Sequence, residues 1–324
     1  MKRKTHFQRT LASQSSYEKF GRKSKRELFL DEMNAVVPWG ALLSLVEPYY
    51  PKVGNGRRPV GLEIMLRTYF VQQWFNLSDP GVEETLYDSA SLRRFVGVDL
   101  GLAAAPDETT ICRFRHLLEE HELGGAMLDT VNLHLGAKGI RITTGTIVDA
   151  TIIHAPNSTK NATGERDPEM HQTRKGNQWF FGLKTHIGVD SKEGGVHSVC
   201  TTAASVADKH MLPHLLHGEE RKVWGDGGYQ GQGDVIRQAA PQAQDMTCRR
   251  TRFKNYVDEE ARRKNTTKSR VRAKVEHPFR ILKRVFGFVK VRFRGLKKNH
   301  NHLCAGFALV NLYQHRKRLA PLGA

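Results

Sequence analysis

Cysteine is scarce and scattered. The four residues, Cys112, Cys200, Cys248 and Cys304, form no paired motif, so reduced thiols are expected rather than a disulfide framework or a cysteine-rich zinc site. Long apolar runs are missing as well. No stretch of about 18 apolar residues occurs, which leaves no candidate for a helix that spans a bilayer. The basic start, Met1 to His6, is not followed by the apolar core that a secretory signal needs. A cytoplasmic protein without a membrane partner is therefore expected. No segment repeats another. Acidic residues are the remaining shortage: 33 Asp and Glu stand against 51 Lys and Arg, a formal net charge of +18. An excess of that size implies a polyanionic partner, and nucleic acid is the one left once the membrane is set aside.

What is present is ordinary for a folded chain. Hydrophobic residues make up 39% of the 324 and charged residues 26%, enough for a sizeable core and for about two domains at roughly 100–200 residues each. The positive charge is local. Residues 249–298 hold 19 Lys/Arg against 4 Asp/Glu, and residues 1–30 hold 9 against 2. The first 26 residues lack periodicity and read as a basic flexible arm. In 249–298 the cations are interleaved with Phe279, Ile281, Leu282, Phe286 and Phe288, so that segment is expected to fold against a core while tracking phosphates.

Residues 27–140 read as a helical domain. Leu62, Met65, Leu66, Tyr69, Phe70, Gln73 and Trp74 recur at helical spacing. Ser78 or Asp79 can cap the next helix, with Pro80 in its first turn. A further helix begins around Asp107. Ile111, Phe114, Leu117 and Leu118 form its apolar stripe, which turns Arg113 and Arg115 toward other faces. Such a helix suits a helix-turn-helix reader of DNA, and equally an ordinary surface helix.

From Arg141 the texture changes to β-branched runs. Strands are expected at Gly145–His154, Gly182–Asp190, Val196–Thr202, Lys222–Trp224 and Gln244–Arg249. Helices are expected at Ala203–His217 and near Gly233–Ala240. The polar stretch from Pro156 to Gln178 reads as a functional loop. The domain would run over 141–315, with 316–324 as a tail.

Three carboxylates stand out in it. Asp149 sits inside an apolar strand, where aspartate is depleted and a buried charge needs a partner. That partner is either a metal ion or a buried arginine and its hydrogen bonds. Asp226 follows a strand and precedes two glycines, a place where α/β sheets present ligand groups and where a plain Asp-Gly turn also occurs. Glu276 lies in the basic stretch, with Arg272 four residues before it and Lys283 seven after it on one helical face. It reads as a metal ligand or as an exposed ion-pairing glutamate. Pro278 places it near a helix start. A carboxylate on the first strand, one after the fourth and one on a later helix form the ribonuclease-H-like order. That order suits two divalent ions which activate the attacking oxygen and stabilise the leaving one, with Arg272 and Lys283 against the phosphates.

At these residues the chain resembles insertion-sequence transposases of the IS-five type, within the wider group of DDE transposases. The resemblance runs from about Val46 to Tyr313. It is carried by Arg57-Arg-Pro, Gln72–Asp79, Thr109–Glu119, Gly145–Thr151, Glu165–Trp179, Gly182–Asp190, Leu216–Glu220, Gly227–Gly231 and Val275–Arg280. It implies an α+β fold: a helical N-terminal domain that binds DNA ends, followed by a mixed-sheet ribonuclease-H-like catalytic core. It also implies Asp149, Asp226 and Glu276 as catalytic metal ligands, magnesium as cofactor with manganese as substitute, and double-stranded DNA as partner, both terminal inverted repeats and target. A homo-oligomer of at least two subunits on paired ends is implied too. The wider group's pattern around the glutamate has Tyr, Arg, Glu and Lys. Arg272, Glu276 and Lys283 fit it, but the Tyr position is Ser269, which inherits no role. Only about 20 residues separate the last strand from the glutamate helix, so no inserted domain is expected there.

Weaker candidates remain. Lys184 and His186 alternate on a strand and are read as sharing a face near Asp149, in reach of DNA. Trp179 and Phe180 could stack on an unpaired base or pack. His210, His214 and His217, and the run from His300 to Cys304, are read as structural rather than zinc-binding. A structure-specific nuclease on the same fold and a non-catalytic DNA-binding descendant stay open as rivals.

Overall fold

The computed structural model describes residues 22–55, 58–161, 164–253 and 256–320. The expected arm thus falls mostly outside the described residues, as do Arg57 and the last four residues of the expected tail. Lys25 and Arg26, placed in the arm by sequence, already belong to the first helix. Arg316 to Leu319, placed in the tail, complete the last one.

Among the described residues seven helices come first: α1 (Lys25–Val36), α2 (Trp39–Val46), α3 (Leu62–Phe75), α4 (Asp79–Asp88), α5 (Ala90–Val96), α6 (Glu108–Glu120) and α7 (Leu123–Ala137). The caps are those the sequence specifies. Ser78 accepts from Gly81 N at 3.1 Å, with Pro80 in the first turn. Asp107 accepts from Thr110 N at 2.7 Å. Each cap satisfies an N–H that has no partner within its helix. Helix α3 is buried almost all round, every residue from Thr68 to Trp74 included, because it is the centre of the helical part. No single helix among the described residues is long and apolar enough to cross a membrane.

Six strands among the described residues then form one mixed sheet: β1 (Gly145–His154), β2 (His171–Lys175), β3 (Gln178–Asp190), β4 (Val196–Ala203), β5 (Lys222–Trp224) and β6 (Gln244–Asp245). β1 pairs antiparallel with β3 and parallel with β5. β4 and β2 pair antiparallel with β3, and β6 pairs parallel with β5. Helices α8 (Gly233–Ala239), α9 (Glu259–Arg272), α10 (Glu276–Arg280) and α11 (Leu296–Leu319) complete the chain. The result is the α+β, ribonuclease-H-like architecture expected.

Three local expectations are corrected. The polar stretch after Pro156 is not all loop, since His171–Lys175 forms β2 against β3. The helix expected over Ala203–His217 is instead 3-10 turns over Asp208–Leu215, with Pro213 inside. Proline lacks the N–H and crowds the preceding turn, which stops a regular α-helix. The fifth expected strand shortens to Gln244–Asp245.

Helix α11 joins the two parts. Its span from Leu303 to Leu312 is buried without a break, so its few polar side chains must find partners inside. Asn301 Oδ1 accepts from Gly124 N at 2.7 Å. Asn311 Oδ1 accepts from Val196 N at 2.9 Å, and its Nδ2 donates to Val196 O at 2.7 Å. His302 Nδ1 lies 2.9 Å from Gln73 Nε2, and His300 Nδ1 lies 3.1 Å from Thr201 Oγ1. These two histidines are therefore structural, as read from the sequence.

Gly124 is where α7 meets α11 most closely: a Cβ there would lie 2.1 Å from Asn301 O, whereas a Cβ on Gly125 meets nothing within 4 Å. Gly124→Ala should therefore cost about 1–3 kcal/mol or more by overpacking. Gly125→Ala, one position along the same helix, should be neutral or stabilise by up to about 1 kcal/mol. Urea unfolding of the two variants measures the difference; equal midpoints would refute the close-packing account.

Candidate functional site

The sheet sets two carboxylates side by side. The parallel ladder pairs Gly145 with Lys222, Thr146 with Val223 and Ile147 with Trp224. Asp149 and Asp226 each lie two residues beyond the last pair, so they stand side by side, Asp149 within β1 and Asp226 just past the end of β5. Asp149 accepts a 2.8 Å hydrogen bond from Ala150 N. Asp226 accepts from Gly228 N at 2.8 Å and caps the 3-10 turn Gly227–Tyr229. The Asp-Gly turn read from sequence is thus real, and it fixes the direction of the carboxylate. Gly228 is required close by, since a Cβ there would lie 2.9 Å from Asp226 Oδ1.

Glu276 arrives from the other direction. It opens α10 after the short 3-10 turn Ala273–Val275, anchored by buried Val275 and Phe279, while its own side chain stays exposed. The helix then passes through a π-helical turn at Ile281–Val285, closed by Phe286 N to Ile281 O at 2.9 Å. That turn delivers Lys283 to β1, where its Nζ donates to Thr151 Oγ1 and Ile152 O, both at 2.7 Å. Burial, then the charge of Lys175, push the Lys283 ammonium below its usual pKa.

Electrostatics tie the set together. Burial raises the Asp149 carboxyl to about 6 from 3.8. The Ala150 N–H and the Arg272 guanidinium act against that shift, and the Asp226 and Glu276 charges add to it. Three acids and one cation therefore feel one another at this spot. Arg272 Nε and the Tyr229 hydroxyl are buried beside them with no hydrogen-bond partner. Burial and the charges of Asp208, Asp149 and Asp226 push the Tyr229 hydroxyl pKa up. Tyr229 escaped the sequence reading. Its signal is Gly225: a Cβ there would come within 3.0 Å of the Tyr229 side chain.

The donor set fits a hard divalent cation. It consists of carboxylate oxygens, with a proton affinity at Asp149 that a nearby positive ion would lower. Among the described residues, no group of three His, Cys, Asp or Glu side chains stands close enough to hold an ion as it is. The carboxylates are coupled through space rather than already converged. The same finding covers His210, His214 and His217, which lie on and after the 3-10 segment.

The structure separates the expected DNA-contact residues. Arg272 and Lys283 lie at the carboxylates. Lys184 and His186 do not share that face: Asp149 is opposite Ile187, whereas Ala150 is opposite His186 and Ile152 opposite Lys184. Both side chains point to the other side of the sheet. There Lys184 donates to Val206 O at 2.8 Å and pairs with Asp208 at 3.0 Å, while His186 is fully buried with its Nε2 2.9 Å from Thr202 Oγ1. Burial lowers His186 to about 4, so it is neutral at pH 7 and carries no charge for a phosphate. Arg115 is also not a surface cation. It is buried, bound to Asp79 at 2.9 Å and Glu119 at 2.7 Å, with Phe293 under its guanidinium. Arg113 is exposed. Trp179 is 64% exposed, while Phe180 packs on His154 with ring centroids 5.1 Å apart.

Comparison with known families gives two matches. Residues 141–312 match the family described as "Transposase DDE domain", and residues 17–117 match "Transposase domain (DUF772)". The first takes in all six strands and the three candidate carboxylates, more than half of the chain.

Two outcomes follow from this geometry. The folded pKa of Asp149, about 6, lies above its ordinary 3.8, so between these values the folded protein keeps a proton that the unfolded chain has lost. Metal-free stability should therefore fall as pH rises from about 4 to about 6 and stay lowered above that. Asp149→Asn should remove this fall, worth at most about 3 kcal/mol. Thermal melts in chelator at pH 4, 5, 6 and 7.5 measure it, and an unchanged slope in the variant would sink the assignment. Arg115→Ala leaves buried Glu119 and half-buried Asp79 without their cation and should cost about 3 kcal/mol, while exposed Arg113→Ala should change stability by less than about 0.5 kcal/mol.

Proposed function

We propose, from the premise that this chain belongs to the transposase DDE-domain family, that it cuts DNA at transposon ends and joins the freed ends to target DNA. In finer terms it is an insertion-sequence transposase of the IS-five type, acting in the cytoplasm as an oligomer of at least two subunits on paired ends. Members of the family generally use divalent metal ions, and magnesium is the ion we assign here, with manganese as substitute. The observation that supports this reading is the matched placement of Asp149, within β1, and Asp226, just past the parallel β5, with the charges of Glu276 and Arg272 bearing on the first of them.

Asp149, Asp226 and Glu276 would hold two magnesium ions. When bound, those ions supply the Lewis acidity for in-line phosphoryl transfer. The other tasks fall to the chain. Arg272, from the end of α9, places a guanidinium against the negative charge of the reacting strand. Lys283, fixed by Thr151 and Ile152 O, extends that positive wall along β1. Trp224, Val275 and Phe279 close the apolar side, where low polarity strengthens each charge interaction.

In the first step water attacks phosphorus at the transposon end, the bond to the 3′ oxygen breaks, and the end leaves as a 3′-hydroxyl. In the second that hydroxyl attacks a target phosphorus, and the target's own 3′ oxygen leaves. In each step one P–O bond forms as another breaks; the first leaves a 5′-phosphate monoester beside the 3′-hydroxyl and the second exchanges one diester for another, so positioning dominates the chemistry.

The test is cleavage and joining of supercoiled DNA that carries the element's own ends, in magnesium, with wild type beside Asp149→Ala, Asp226→Ala and Glu276→Ala. Each variant should still bind DNA and lose cleavage by at least about a hundredfold. Full activity in any one variant would remove that residue from the set. Cutting without joined products would favour a nuclease on the same fold, and binding without cutting would favour a non-catalytic descendant.

A further inference from the structure

The hairpin formed by β2 and the first residues of β3 is largely exposed to solvent. All of β2 except Thr173 is exposed. Its root is fixed: Phe180 packs on His154, and Ala155 N donates to Phe181 O at 2.9 Å. The turn at the tip is ordered by Gly176, at φ 61°, and by Arg174, which donates to Gly176 O and Asn177 Oδ1. Arg174 and Trp179 are cross-strand partners, so the cation and the exposed indole share one side. Between His171 and Phe180 there are two cations and no acid.

Its position relative to the carboxylates follows from register. Trp179 lies eight residues before Ile187, the partner of Asp149, and an even spacing on one strand keeps both on the same face. At about 3.3 Å per residue the separation is at most about 26 Å, roughly eight base steps of a duplex at about 3.4 Å each.

We infer that this hairpin is a duplex-holding ribbon, which enters a groove of the DNA within about eight base pairs of the reacting phosphate, with Arg174 and Lys175 against phosphates and Trp179 against the groove wall. The inference rests on the DNA-processing reading above and adds to it a contact surface. A two-stranded ribbon has the dimensions of a major groove about 12 Å wide. A second copy of the chain is the other occupant an open strand edge invites, but it would bring like charges against Arg174 and Lys175.

The experiment uses the full chain and a 30-base-pair duplex of random sequence. Of the four tryptophans, Trp74 and Trp224 are buried and Trp39 is half-buried, so acrylamide quenching reports mainly on Trp179. Duplex binding should shield that emission from acrylamide. Arg174→Ala with Lys175→Ala should lower the slope of log affinity against log salt by about two. Trp179→Ala should weaken binding about tenfold, and Trp179→Phe should restore most of it. If wild type binds the duplex while acrylamide access and the salt slope of the double variant stay unchanged, the ribbon is wrong and DNA binding stands. If wild type binds no DNA at any salt tried, the functional reading itself fails, and the ribbon with it.

Discussion

A half-buried carboxylate on the central strand of a sheet, in the field of two further acids, is the constraint around which this protein is arranged. Burial and the neighbouring negative charges both act against ionised Asp149, and such a site persists only where the surroundings over-determine it. They do so through backbone geometry. The β1–β5 ladder is only three residues long, yet buried Glu220 braces it by accepting from Thr146 Oγ1 of β1 at 3.0 Å and from His217 N and Gly218 N ahead of β5. Asp190 performs the same service at the end of β3, accepting from Thr143 N and Lys192 N. These two acids are spent on turns. Asp149 and Asp226 instead each accept one bond, from a neighbouring backbone N–H, and keep their remaining lone pairs for something else.

The second requirement is that Glu276 approach from a helix without being dragged into the core. The chain meets it by alternation. Val275, Pro278 and Phe279 are buried, while Glu276, His277 and Arg280 are exposed. The π-helical turn that follows is a known accompaniment of functional sites, and here it shifts the helix phase so that Lys283 reaches β1 while Leu282 and Phe286 stay inside. Helix α11 then closes the structure. Its asparagines hold Gly124 of the helical part and Val196 of the sheet, so the regions that match two separate family models share one hydrophobic core. Motion of the helical part against the carboxylates would have to break those buried bonds.

Much of this was legible in the sequence, and the failures have physical causes. Asp149 showed because a charge in a β-branched run has few explanations. The helix starts at Ser78 or Asp79 and around Asp107 showed because capping is local chemistry. Alternation on β3 correctly put Lys184 and His186 on one face, but it could not say which face, since that depends on register against β1. Arg115 was misread because its partner Asp79 lies 36 residues away, although Glu119 sits at the helical spacing of an ion pair. β2 was hidden because a solvent-exposed strand carries no apolar alternation. The helix over 203–217 was expected from composition alone, and Pro213 overrode it. Failures of this kind belong to long-range pairing, which local patterns do not encode.

Charge is where counting misleads most. The excess in residues 249–298 does follow the candidate site, for α9 has no buried residue and ends at Arg272. Part of it is nevertheless consumed internally: Arg262 pairs with Glu259, Lys264 with Glu260, and Lys268 Nζ donates to Thr247 O. The sheet underlying the carboxylates makes the same point in reverse, because Lys184 of β3 is turned away and bound to Asp208. Placing cations on the floor of the site would have neutralised the acids directly and removed their tendency to draw in a divalent ion. Placing them on the surrounding walls, at Arg272 and Lys283, leaves the acids undersatisfied while still offering an attractive field to a polyanion. The separation of the two charges, Asp149 and Asp226 on the sheet with Glu276 facing them from a helix, and Arg272 and Lys283 around them, is what lets one surface suit both a metal ion and a phosphate backbone.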